Sequence, residues 1–263
     1  MENRVFEAKI KNVMTDNMYD RVITNKRKGK LDSNRLYKVA TGAETVFKQK
    51  QERKGKHYNV VLLIDQSGSM LCDWGREDKI DLCADLTSYI AKVLDRNSVN
   101  IAIIGFNNEI REYKSFEKKI KTQAEVRKAL IYDVKRGKDN KYGHSTLHCN
   151  HDYDALETAY KLLGKKKGTN LLMVFSDGRP SCDGGGYYCG NVYDQNKHQV
   201  SEIRKLINAN RNVKTIGIGI DCREVAAIYD NHVVADEDST KENFDQLFKV
   251  GIVNILKKEI KRQ

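Results

Sequence analysis

Four short apolar runs constrain this chain more than any other feature of its sequence. They are YNVVLLID (58–65), VNIAIIGF (99–106), NLLMVFSDG (170–178) and VKTIGIGID (213–221). Each is too short for a helix that is apolar all round. Their near-continuous hydrophobicity, without strict alternation, reads as strands covered on both faces. Helical spacing fills the gaps between them. From Glu77 to Arg96, Leu82, Leu86, Ile90, Val93 and Leu94 share one face. Further helices are predicted over Ala124–Val134, His151–Leu163 and about Asn196–Asn210. EIREYK (109–114) reads as an edge strand, and a short helix (REVAAIY), a small strand (HVVAD) and a last helix, Lys241–Lys258, close the chain. Buried strands alternating with helices imply a doubly wound α/β domain, a mostly parallel sheet with helices on both faces, over residues 57–263. In that architecture ligands gather outside the carboxyl ends of the strands.

Residues 1–56 show no clear period. Leu36, Tyr37, Val39, Val46 and Phe47 are isolated apolar points among charges. The stretch reads as a basic N-terminal arm packing on the main domain, joined to it by the wet connector KQKQERKGK (48–56). It holds 15 Lys/Arg against 7 Asp/Glu, so most of the chain's net charge of +11 sits there. A basic arm suits nucleic acid or an acidic partner. With no aromatic RNA-binding motif and no helix-turn-helix pattern, a solvated surface is the plainer reading.

Other classes are excluded by what the sequence lacks. No apolar run reaches the ~18 residues that a membrane span needs. The opening MENRVFEAKIKN has no apolar core of a secretory signal, so the expected location is cytoplasmic, with no membrane partner. The six cysteines form no CxxC pair and are read as reduced thiols. A second, structural zinc could use Cys182 and Cys189 with ligands from the His148–Cys149 loop, but that spacing matches no common zinc knuckle.

The chemistry-bearing residues collect at one edge. Asp65 ends the first apolar run and leads into Gln66-Ser67-Gly68-Ser69, and Asp177 ends the run in NLLMVFSDG. Asn150 and Asp152 stand at the head of the His151 helix, with Asn150 expected as its N-cap. Ser67 and Ser69, two apart around Gly68, can both face one ion. These are hard oxygen donors, suited to Mg²⁺, Mn²⁺ or Ca²⁺ and poorly suited to zinc or copper. Two neutral hydroxyls and a few carboxylates leave a divalent ion under-neutralised if the aspartates act through water. Such a site wants a carboxylate from a partner.

Asp65-x-Ser67-x-Ser69 after an apolar strand, with Asp177 in a Ser-Asp-Gly turn, resembles the metal-ion-dependent adhesion site of von Willebrand factor A domains. The wider set GKLDSNRLYKVATG, LLIDQSGSM, NHDYDALETAYKLL, LLMVFSDGRP and KTIGIGID is similar in order and spacing to the C-terminal part of the T subunit of aerobic cobaltochelatase. That resemblance implies an Asn-x-Asp before the Ala155-Leu156 helix, placing Asn150 as the third-loop ligand, with Thr146 as its rival. It also implies a non-catalytic adaptor that works with an AAA+ ATPase of the MoxR type, like the chelatase S subunit. The chelatase subunit is longer and carries an acidic N-terminal region, so cobalt insertion does not follow.

Two alternatives stand beside the adaptor. A Mg²⁺-dependent hydrolase could draw a base from His144, His148 or His151, yet the chain has no P-loop and no nucleophile elbow. Nucleic-acid binding through the arm is the other. The glycine-rich segment from Asp177 to Asn191, bordering the expected metal, is the expected partner contact.

Overall fold

The computed structural model describes residues 7–9, 12, 21–51, 57–71, 73–74, 77–119, 122–138, 151–177, 192–220, 223–235, 251, 253–254 and 257–258. In the arm, β1 (Arg21–Lys26), β2 (Lys30–Leu31) and β3 (Phe47–Gln51) form an antiparallel sheet in the order β1-β3-β2, with a 3₁₀ segment, Ser33–Thr41, between β2 and β3. The sequence reading assigned no element here. The strands are short and mostly charged or amide-bearing, so no hydrophobic period marks them. Their turns show in the backbone instead, with Gly29 at φ 133° and Gly42 at φ 79°, angles that a side chain rarely adopts. Among the arm's described residues only Asp32 and Val46 are buried. Asp32 lies 3.5 Å from Arg35 and 3.8 Å from Lys48.

The main domain begins with β4 (Tyr58–Asp65) and a 3₁₀ turn, Gly68–Leu71. A small hairpin of β5 (Asp73–Trp74) and β6 (Glu77–Asp78) precedes α1 (Lys79–Arg96). Then come β7 (Asn100–Phe106), β8 (Ile110–Lys114), α2 (Gln123–Lys138), α3 (Asp152–Gly164) and β9 (Thr169–Ser176). The chain continues through α4 (Val192–Ala209), β10 (Val213–Ile220), α5 (Val225–Ile228) and β11 (His232–Ala235). The six-stranded sheet runs β11-β10-β9-β4-β7-β8. Every neighbouring pair is parallel except β7 with β8, which is antiparallel and forms the edge.

The doubly wound α/β expectation therefore holds, with two local corrections. The first helix starts at Lys79, because Glu77 and Asp78 pair with Trp74 and Asp73 in the hairpin. The third starts at Asp152 with His151 in the cap position, and His151 makes no side-chain cap bond. His151 N–H donates to the Asn107 carbonyl at 3.1 Å instead, which ties the helix start to the loop after β7. Asn150, expected as the cap, lies outside the described residues, as does most of the expected Lys241–Lys258 helix.

Burial on both faces follows from the period of two along the strands. Val60, Leu62 and Ile64 pack with α1 and Leu130 of α2. Val61 and Leu63 pack on the other side with Ala155, Leu156 and Ala159 of α3 and Ile203 of α4. Thus β4 feeds a helix on one face, while β9, its neighbour, feeds a helix on the opposite face. The chain order reverses between β4 and β9, so the connections that leave their carboxyl ends run to opposite faces of the sheet, the place where this architecture forms its ligand crevice. At the opposite, amino end the polar residues interlock. Asn100 Nδ2 donates to Asn59 Oδ1 at 2.9 Å, Asn59 Nδ2 to Asn170 Oδ1 at 2.9 Å, and Asn170 Nδ2 to the Leu163 carbonyl at 3.0 Å. That ladder satisfies the buried amides of Asn59 on β4 and Asn170 on β9, with the exposed Asn100 of β7 at its outer end.

Candidate metal centre

The crevice between β4 and β9 is lined by residues that the fold delivers there one by one. Asp65 is the last residue of β4 and is fully buried. Gln66 N–H makes the last ladder bond to β7, donating to the Phe106 carbonyl at 2.8 Å, and beyond it the chain turns into the 3₁₀ segment. The Gln66 side chain then braces the loop from beneath. Its Nε2 donates to the Leu130 carbonyl at 3.0 Å, and its Oε1 accepts from the Tyr113 hydroxyl at 2.9 Å. Gly105 makes room for this, since a Cβ there would stand 2.2 Å from Gln66 Oε1. Met70, fully buried, anchors the far end of the 3₁₀ turn in the core.

Within that braced loop the two hydroxyls meet. Ser67 Oγ and Ser69 Oγ are 2.9 Å apart, and Ser67 N–H donates to Asp65 Oδ1 at 2.8 Å. Asp65 Oδ2 accepts from the Ser176 hydroxyl at 3.0 Å. Ser176 ends β9, so both oxygens of Asp65 are oriented from separate segments. Ser67 is buried and Ser69 is exposed, which leaves the pair reachable from outside.

Asp152 comes from α3, where the Asn107 contact at the preceding residue sets its position. It is buried, and among the described residues no donor reaches its buried Oδ2. A buried carboxylate oxygen of that kind calls for a cation or a proton. Burial, then the charge of Asp65, and also that of Asp177, holds its carboxyl well above the usual carboxylate range. Burial and then the charge of Asp177 push Asp65 up from 3.8 to about 6. The three aspartates therefore share one low-dielectric space and repel one another there. Asp177 follows Ser176, and its Oδ2 lies 3.8 Å from Lys79 Nζ, at the start of α1.

Of the six expected ligands, Asp65, Ser67 and Ser69 are joined by hydrogen bonds, and Asp152 and Asp177 lie near enough for their charges and that of Asp65 to act on one another. The sixth, Asn150, and its rival Thr146 lie outside the described residues. Among the described residues no three His, Cys, Asp or Glu side chains close into a cage by themselves. Sequence reasoning missed Ser176 as a partner of Asp65, although it quoted the Ser-Asp-Gly turn. It also missed Lys79, for which a single lysine at a helix start gives no signal. Of the proposed bases, His151 is described, with Nδ1 3.4 Å from Asp154 Oδ2. His144 and His148 lie outside the described residues, as do Cys182, Cys189 and all but the first residue of the glycine-rich segment. Cys83 is core, as read, and burial pushes its thiol up to about 12.

A doubly wound sheet with an Asp-x-Ser-x-Ser loop at its switch point and a Ser-Asp pair on the adjacent strand defines the von Willebrand factor A class. Residues 46–242 match the family described as the cobalamin biosynthesis protein CobT VWA domain, and the chain belongs to that family. No curated protein matches it by sequence. The pilus adhesin SpaC from Lactobacillus rhamnosus GG, in its open conformation, shares the fold at 13% identity and TM-score 0.53, over 80% of this chain and 31% of the adhesin. Proximal thread matrix protein 1 from the mussel byssus does so at 13% identity and TM-score 0.50, over 77% of this chain and 48% of that one. The chain thus spans less than half of either neighbour. Among the described residues no helix is long and apolar enough to cross a membrane.

Proposed function

We propose that this protein is a metal-ion-dependent binding module. Ser67 and Ser69 hold a hard divalent cation, Mg²⁺ or Mn²⁺, with Asp65, Asp152, Asp177 and Asn150 around it. The observation that carries this reading is the unpartnered, buried Asp152 Oδ2 facing two further aspartates that are mutually destabilised without a cation. When bound, the ion supplies a Lewis-acidic position that a partner's carboxylate can complete. Asp65 orients the loop through Ser67 N–H and the Ser176 hydroxyl. Gln66 and Tyr113 keep that loop rigid, so the two hydroxyls stay together.

The family match supports a more specific role as an adaptor, in which the module couples a MoxR-type AAA+ ATPase to a target as a cobaltochelatase T subunit resembles doing. On this reading the isolated chain is catalytically silent and works by altering the ATPase. Titration calorimetry with MgCl₂ tests the metal. Wild type binds one equivalent, and Asp65→Ala loses the binding while keeping its circular dichroism spectrum. Equal affinity in both proteins would remove the assignment. Turnover of a phosphate ester by the isolated chain, lost in Ser67→Ala, would favour the hydrolase reading instead.

A further inference from the structure

The amino-terminal edge of the six-stranded sheet, opposite the metal centre, carries cations that the fold does not use. Three loops meet there. One follows β8 and holds Lys118 and Lys119, one joins α3 to β9 and holds Lys165, Lys166 and Lys167, and one joins α4 to β10 and holds Arg211. Lys166 stitches the first two together, its ammonium 4.8 Å from the Phe116 ring centroid and 3.1 Å from Glu117 Oε1. The parallel pairing of β9 with β10 sets the third loop beside the second. We propose that this edge docks the phosphate backbone of a nucleic-acid duplex without reading its base sequence.

Charge compensation inside the fold does not account for these side chains. A helix end attracts cations because its last carbonyls lack partners. At the end of α3 other donors serve that purpose. The Leu163 carbonyl accepts from Lys166 N–H at 2.9 Å and from Asn170 Nδ2 at 3.0 Å, and the Lys167 carbonyl accepts from Asn59 Nδ2 at 3.1 Å. The acidic groups at this edge face cations of their own, Glu117 the Lys166 ammonium and Asp95 the buried Lys114, on which its charge acts. Lys118, Lys119, Lys165, Lys167 and Arg211 are exposed, and among the described residues none of them has a carboxylate within ion-pair reach.

The chemistry of the edge selects the partner. Protein interfaces are held by apolar and aromatic anchors at a desolvated centre. Among the described residues no exposed large hydrophobic side chain falls in these loops, since those side chains belong to the arm, the start of β8, α2 and the head of α3. Cations without anchors fit a partner bound through charge alone, as a phosphate backbone is. With no exposed aromatic ring in these loops to stack a base, a duplex fits better than a single strand. From β10 to β8 the edge spans four strand spacings, about 19 Å. That is enough to cross a groove ~12 Å wide and reach the backbone on either side.

The test is fluorescence anisotropy of a labelled DNA duplex with the whole chain in EDTA, which makes it independent of the metal centre. Affinity is expected to fall on the order of a hundredfold between ~50 and ~200 mM NaCl, as about four phosphate contacts require, and to be the same for unrelated sequences. The triple variant Lys165→Ala, Lys167→Ala, Arg211→Ala is expected to lower the salt slope by about 2 to 3 units. If that variant is not folded by circular dichroism, the three glutamine substitutions take its place with the same expectation. Lys28→Ala, Lys30→Ala, Lys38→Ala removes the same charge from the arm and is expected to leave the slope near wild type. An equal loss in the arm variant would mean that overall charge alone attracts the duplex, and overturns the assignment to the edge. Absence of salt-sensitive binding overturns it too, as does tighter binding of poly-glutamate than of the duplex, which would point to an acidic protein instead.

Discussion

A buried carboxylate oxygen without a donor is destabilising wherever it occurs, and Asp152 Oδ2 is one. Its proximity to Asp65 and Asp177 adds like-charge repulsion to the cost of burial. That cost shows as a carboxyl held well above the usual carboxylate range, and on the proposed reading a cation offsets it. Asp152→Asn removes the charge but keeps the shape. It is expected to raise the melting temperature of the metal-free protein, because an uncompensated buried charge is gone. It is also expected to weaken Mg²⁺ binding by on the order of tenfold or more. Differential scanning calorimetry in EDTA and a Mg²⁺ titration read the two effects, and a variant that melts lower in EDTA with unchanged affinity would contradict the account. At this scale the sequence was informative about donors and silent about supports. Asp65, Ser67 and Ser69 lie within five residues and announce themselves. Ser176 and Lys79 reach the same crevice from 111 and 14 residues away from Asp65, through a sheet register that no local pattern encodes.

At the scale of elements, the buried strands were legible because parallel strands covered on both sides leave unbroken apolar runs. All eight residues of β4 are buried, and so are all eight of β9. Helix starts were less legible, because they depend on tertiary bonds. The head of α3 is set by a contact between His151 and Asn107, which the capping preference of Asn150 does not foresee. The arm's strands were invisible for a different reason, since a sheet that buries almost nothing has no face to mark. Glycines inside β10 also carry a meaning that appears only in the packing. A Cβ on Gly217 would stand 2.2 Å from Cδ2 of Tyr229, a buried ring beyond α5. Gly217→Ala is expected to destabilise the domain by ~1–3 kcal/mol through overpacking. Urea unfolding followed by fluorescence measures it, and a midpoint equal to wild type would show that the ring relocates freely.

For the molecule as a whole, two surfaces stand apart. The crevice at the carboxyl edge gathers acidic groups, while the arm carries most of the excess positive charge of a chain at net +11. Leu36, Tyr37 and Val39 are exposed on that arm. On the proposed adaptor reading two contacts are needed, and a metal-centred one and a basic one would differ in their response to conditions. EDTA acts on the first, and salt screens the second. The central claim concerns the first, that one hard cation sits on the two serine hydroxyls. Anomalous diffraction from crystals of the whole chain soaked in MnCl₂ tests it most directly. The account predicts a single strong manganese peak in direct contact with Ser67 Oγ and Ser69 Oγ, absent from Asp65→Ala crystals treated alike. A peak elsewhere on the molecule, or none at the serines while Mn²⁺ is in excess, would contradict it.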